Sequence, residues 1–166
     1  MRPIIMNGRT VFTPHNYAVS IVSQIGGTSA IVTVSMNGYL AIILDEASQR
    51  LLLEKTPPLH PQVFAHHVTI AFKPSMEVYK LYEPYLGTST HMRVVGHAED
   101  AQGQAVVVRV VGLDMLQDAR HHITISTNNV PPFYSKGLVE RGVQEYAEPF
   151  MLTGVVRWVA HEARPL

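Results

Sequence analysis

The sequence predicts an α+β fold in which antiparallel strands outnumber helices. β-branched and aromatic runs recur along the chain, for example Tyr17–Ser23, Tyr39–Leu44, His66–Phe72 and Ala105–Val111. Turn signals such as Gly26-Gly27 and Asn37-Gly38 sit between strand candidates and join them as hairpins. Few segments carry helical signals, and hairpins with a few helices make an α+β domain.

Residues 1–16 read as an arm or loop, with a turn at Asn7-Gly8 and an interruption at Pro14. Tyr17–Ser23 and Ser29–Ser35 form a hairpin around Gly26-Gly27. Asn37-Gly38 turns the chain into a strand over Tyr39–Leu44. Asp45 is a natural N-cap for a helix over Glu46–Glu54. The prolines of Thr56–Pro61 exclude helix there and make a rigid connector. A strand follows over His66–Phe72, ended by Lys73-Pro74, and Ser75 caps a helix over Met76–Leu86. Tyr79, Tyr82 and Leu86 recur at helical spacing and predict a packed helix rather than a stacking platform. Met92–Ala98 and Ala105–Val111 pair across the polar turn Glu99–Gly103. Leu113–Arg120 holds a short helical turn, His121–Thr127 a strand, Asn128–Gly142 a loop and Leu152–Ala160 a last strand.

A length of 166 residues fits one domain, or two small lobes sharing a core, and no linker interrupts residues 1–166. Thirteen basic and thirteen acidic residues cancel. Such a chain has no bulk field to hold a long duplex, so a nucleic-acid substrate is expected to be short, or a strand end gripped locally. The absence of cysteine excludes disulfides, thiolate zinc sites and cysteine nucleophiles. No apolar run approaches the ~18 residues of a membrane span, and no secretory leader is evident. A soluble, cytoplasmic protein is the expectation.

Nine histidines are many for this length, and four of them form the doublets His66-His67 and His121-His122. Histidine is the side chain best suited to proton transfer near neutral pH. The segments His66-His67-Val68-Thr69-Ile70 and His121-His122-Ile123-Thr124-Ile125 match one another. On a strand, alternate side chains point to opposite faces. His67, Thr69 and Ala71 therefore share one face, and Val68, Ile70 and Phe72 the other. His122, Thr124 and Ser126 likewise oppose Ile123 and Ile125. The apolar faces are core, so each His-x-Thr pair looks away from it. His66 and His121 fall at the start of the core faces and are expected to support structure. Neighbouring histidines on a strand diverge, so neither doublet chelates a metal by itself, and no suitably spaced third ligand is evident. Phe72 and Phe133 are expected to pack.

The doubled His-x-Thr-hydrophobic pattern, at His67-Val68-Thr69-Ile70 and His122-Ile123-Thr124-Ile125, resembles the 2H phosphoesterase superfamily. The run Pro131–Leu138 looks like the substrate-side loop of one branch, related to the cyclic phosphodiesterase domain of tRNA ligases and RNA-repair proteins. The likeness spans about residues 38 to 160 and leaves the role of residues 1–35 open. It implies a bilobal fold, with two antiparallel sheets and outer helices around a central cleft. It implies hydrolysis of a 2′,3′-cyclic phosphate at an RNA end or on a nucleotide, without metal or other cofactor. In some branches cyclic oligonucleotide messengers are the substrates.

Opening a cyclic phosphodiester requires a base for the attacking water, an acid for the leaving ribose oxygen, and donors for the non-bridging oxygens. By family analogy His67 is the acid, His122 the base, and Thr69 and Thr124 the phosphate clamps. The pseudo-symmetry of the motifs leaves the reverse assignment of acid and base open. Two histidines in opposite protonation states predict a bell-shaped pH–rate profile. Tyr134 is a candidate for base stacking and Lys136 for phosphate pairing, with Ser126 and Lys73 as further substrate contacts. The expected partner is a short RNA end or a cyclic nucleotide, with no membrane and a monomeric chain. The rival readings are a nucleotide- or RNA-binding module without catalysis, and a subunit of a larger RNA-processing assembly.

Overall fold

The structure, a computed structural model, describes residues 10–12, 17–23, 30–115 and 120–161, with side chains described from Met36 onward. The elements run β1 (Thr10–Phe12), β2 (Tyr17–Ser23), β3 (Ala30–Met36), β4 (Gly38–Leu44), α1 (Glu46–Lys55), β5 (Gln62–Val63), β6 (His67–Phe72) and α2 (Met76–Tyr82). After a 3₁₀ turn at Glu83–Tyr85 come β7 (Ser89–Glu99), β8 (Gly103–Val111), β9 (His122–Thr127), α3 (Tyr134–Arg141) and β10 (Gln144–Ala160). The α+β class is as expected. One large antiparallel sheet has the order β5-β9-β8-β7-β10-β4-β6, and β1-β2-β3 form a smaller one.

The chain divides into two compact units. One comprises residues 1–40, 71–86 and 158–166, the other residues 41–70 and 87–157. In the first unit, β2 and β3 form the expected hairpin, in register from Tyr17 opposite Met36 to Ser23 opposite Ala30. The expected arm contributes β1 to the edge of this sheet. The turns at Asn7-Gly8 and Gly26-Gly27, and Pro14, lie outside the described residues. Ser75 caps α2 by accepting a hydrogen bond from the backbone N–H of Val78 (3.2 Å). The helix stops at Tyr82, short of the expected Leu86, because Pro84 cannot continue the ladder and a 3₁₀ turn takes over. Tyr79 and Tyr82 are buried, and Tyr79 packs edge-on against Trp158 at 5.5 Å, which makes the packed helix the sequence predicts. Gly38 admits that indole: a Cβ there would lie 2.5 Å from Trp158 Cζ2.

In the second unit, Asp45 caps α1 through the Ser48 N–H at 2.7 Å, as expected, and Leu52 buries the helix's inner face. The main core gathers Ile42, Val68, Ile70, Met92, Val106, Ile123, Ile125 and Leu152. A smaller apolar cluster joins α3 to the sheet through Leu138, Val139, Ala98 and Ala105. Here the structure corrects the expected loop over Asn128–Gly142. Pro131 and Pro132 stand just ahead of a helix, where a fixed φ and a missing N–H cost nothing, while the internal Gly137 masks the helical pattern. Strand β10 begins at Gln144 rather than Leu152; its first half lacks alternation and is held by pairing with β7 across a bulge between Glu145 and Phe150. Leu113–Met115 are not helical, and the rest of that expected turn falls mainly outside the described residues. Phe72 and Phe133 are exposed, at 62% and 78%, not packed as expected. No helix among the described residues is long and apolar enough to cross a membrane.

Candidate active site

Both His-x-Thr pairs belong to the second unit, on the face the alternation predicts. On β6, Val68 and Ile70 are buried while His67 and Thr69 are partly exposed. On β9, Ile123 and Ile125 are buried while His122 and Thr124 are partly exposed.

These strands stand far apart in the sheet order, yet one short segment links them. Residues 62–63 pair with β9, Gln62 opposite Thr127 and Val63 opposite Ser126. The N–H groups of Phe64 and Ala65 extend this ladder onto the carbonyls of Ile125 (2.9 Å) and Thr124 (2.8 Å). Ala65, at φ 52°, then turns the chain, and the His66 carbonyl accepts from Leu44 N–H of β4 at 2.9 Å. His67, two residues beyond Ala65, opens β6. The imidazoles of His67 and His122 act on each other electrostatically.

Burial, and behind it the charges of His66 and His122, holds the His67 imidazole down to about 4. His66 is exposed rather than on the core face, and its ring stacks on that of His67 with centroids 4.4 Å apart and Nδ1 against Nδ1. His122 donates from Nδ1 to the Arg120 carbonyl (3.1 Å), which leaves the lone pair of the neutral ring on Nε2. Burial also lowers the His122 pKa, with Lys136 adding to the effect, while the Arg120 bond and the charge of Glu140 oppose it. Burial and the charge of His122 lower His121 in the same direction.

The Thr69 hydroxyl has no hydrogen-bond partner among the described residues. The Thr124 hydroxyl lies 2.9 Å from Ser135 Oγ and 3.2 Å from the Pro132 carbonyl, so a phosphate oxygen has to compete with the start of α3 for its proton. Lys136 is exposed on the first turn of α3, within electrostatic reach of His122. Tyr134 donates to Asp100, accepts from Arg141 at 3.0 Å, and lies under that guanidinium with its ring against Gly103. Its stacking face is therefore engaged, contrary to expectation. Ser126 is corrected as well: it is fully buried, donates to Gln104 Oε1 at 2.7 Å and accepts from His60 N–H at 3.2 Å. The register shift between Gln104 and Ala105 accompanies this break in the alternation. Lys73 belongs to the other unit, where its ammonium lies 5.6 Å from the centroid of the Phe72 ring. Among the described residues no group of three or more His, Cys, Asp or Glu side chains is gathered as for a metal ion. Sequence reasoning missed Arg120, Ser135 and Glu140. Only Arg120, two positions before His122, carried a signal in its spacing.

No family model matches the chain, and no curated protein matches it. Among solved structures, the crystal structure of a fungal RNA kinase is similar, with a TM-score of 0.53 at 15% sequence identity. The match covers 84% of this chain and 47% of that one, so the chain spans about half the length of the kinase. At this identity the likeness is one of fold.

Proposed function

We propose that this chain is a 2H-type phosphodiesterase that opens a 2′,3′-cyclic phosphate at an RNA end or on a nucleotide. The observation that supports the reading is that residues 62–65 pair with β9 up to Thr124, and that His67, which opens the next strand, feels the charge of His122, with each of the two histidines two residues before a threonine. The fold likeness to an RNA kinase is in keeping with an RNA-end substrate. On this reading residues 1–166 form a single bilobal phosphoesterase domain, monomeric and cytoplasmic, similar to the cyclic phosphodiesterase domain of tRNA ligases. On this reading it works without metal.

In the reaction, His122 Nε2 takes a proton from water as the oxygen attacks phosphorus. The bond from phosphorus to one ribose oxygen breaks, and His67 gives that oxygen its proton. The product is a ribose monophosphate beside a free hydroxyl, and solvent returns both imidazoles to their starting states. Thr69 and Thr124 donate to the non-bridging oxygens, and Lys136 adds positive charge near His122. The phosphate's own negative charge raises His67 from its low free value so that it can serve as the acid.

The test is an RNA oligonucleotide ending in a 2′,3′-cyclic phosphate, incubated with the protein in EDTA. Conversion to a monophosphate end is expected, with a loss of roughly 10²-fold or more in both His67→Ala and His122→Ala. Activity that survives in both variants, or that EDTA abolishes, overturns the proposal. Binding without turnover by the wild type favours the non-catalytic module.

A further inference from the structure

We infer that the second unit carries, beside His122, an anion pocket for a further phosphate of the substrate, one nucleotide away from the phosphate that reacts. The inference rests on the phosphodiesterase reading and narrows its substrate to molecules with at least two phosphates.

A cavity of about 360 Å³ is lined by Val95, Val107, Arg109, Arg120, His121 and Glu145, among others. The strand registers place it on the sheet face of the catalytic pair. Val107 is the partner of His122, Gly96 of Val107, and Glu145 of Gly96, and directly opposed residues share a face. Arg109 lies two positions beyond Val107 and so on the same face. A bulge between Val94 and Gly96 turns Val95 into the wall, a device common beside active sites.

Four features of this wall ask for an anion. Arg109 stands directly opposite Arg93, and like charges so placed destabilise a sheet. Neither guanidinium has a carboxylate within ion-pair distance among the described residues. Nε2 of His121 is buried without a hydrogen-bond partner. Arg120 is tethered through one nitrogen to the Val139 carbonyl at 3.4 Å, which orients the remaining N–H groups of its fork. Two guanidiniums face one carboxylate, Glu145, so the lining stays positive. Arginine suits phosphate because its planar fork binds two oxygens at once. Two residues of extended chain, Arg120 to His122, span about 7 Å, comparable to one step between phosphates of a single strand.

The second phosphate can be the phosphodiester just upstream of an RNA cyclic end, or the other linkage of a cyclic dinucleotide. Three substrates separate these sources: adenosine 2′,3′-cyclic phosphate, the dinucleotide ApA ending in a 2′,3′-cyclic phosphate, and a cyclic dinucleotide. For the wild type, kcat/KM on at least one two-phosphate substrate is expected to exceed that on the mononucleotide about tenfold or more. Arg109→Gln and Arg120→Gln, which keep most of each stem, should bring that ratio towards one. Each should also make the salt dependence of kcat/KM on ApA shallower by about 0.7 in log–log slope. A higher Tm of ligand-free Arg109→Gln, from relief of the Arg93 pair, shows that the variant folds and that the like-charge strain is real. A ratio that neither substitution moves overturns the pocket. Calorimetry with ApA carrying a 3′-phosphate, against adenosine 3′-phosphate, needs no turnover. If nothing is hydrolysed but Arg109→Gln still removes the preference for the dinucleotide, the pocket stands and the phosphodiesterase reading falls. If the cyclic ends are hydrolysed while neither variant changes ratio or binding, the reading stands and the pocket falls.

Discussion

His67 ties the candidate chemistry to stability. Its folded pKa, held down to about 4 by burial and by the neighbouring imidazoles, lies below the 6.5 of a free histidine. The folded state therefore binds fewer protons than the unfolded chain between those values, and stability falls as pH drops through that window. At pH 5 the loss from His67 amounts to about 2 kcal/mol relative to pH 7.5, and His121 and His122, also lowered, act in the same direction. Urea midpoints at the two pH values should differ accordingly, and His67→Gln should shrink the difference. The same low value bears on rate. Above pH 6.5 the fraction of protonated His67 in the free enzyme falls tenfold per unit, so kcat/KM should peak below pH 6.5, and kcat, read with the phosphate bound, at a higher pH. Thr124 makes a second residue-scale test. Thr124→Val leaves the buried Ser135 hydroxyl without its partner and should cost about 1–3 kcal/mol in urea unfolding, with Thr124→Ser close to wild type.

Among the elements, the proline-rich connector between α1 and β5 is held at two points by one side chain, with Ser126 adding a bond to the His60 N–H. Gln104 on β8 accepts from the Leu59 N–H (2.9 Å) and from Ser126 Oγ (2.7 Å), and donates to the Pro57 carbonyl (3.0 Å). The connector sets where β5 meets β9, and so where His67 comes to lie. Gln104→Leu should destabilise the protein by about 2–4 kcal/mol and open residues 56–61 to limited proteolysis. At the junction of β10 with β4, Gly154 leaves no room for a methyl, because a Cβ would lie 2.6 Å from the Ile43 carbonyl oxygen and 2.7 Å from Ile42 Cγ2. Gly154→Ala should lower stability by about 1–3 kcal/mol or more, read as a fall in Tm.

For the molecule as a whole, net charge decides what the surface can hold. With thirteen charges of each sign the protein has no field to gather long nucleic acid, and any grip on phosphate is local. Binding of a long, unmodified duplex should therefore be weak at about 0.15 M salt, read by gel shift, whereas on the proposed reading short cyclic-phosphate ends should be turned over.

The sequence by itself determined the strand-rich α+β class, the Asp45 and Ser75 caps, and the faces of the two histidine–threonine pairs. Each of these depends on neighbours within a turn or a strand, where periodicity and capping act. Tertiary structure decided the rest. The helix behind Pro131-Pro132, the early start of β10 and the burial of Ser126 under Gln104 come from partners distant in the chain, which local pattern does not encode. So do the turn at Ala65 that carries the chain from β9 onto β4, and the gathering of Arg109, Arg120 and His121 around one cavity. A strand's alternation specifies which face a side chain takes, but which other strand it meets is set by long-range hydrogen bonding and packing.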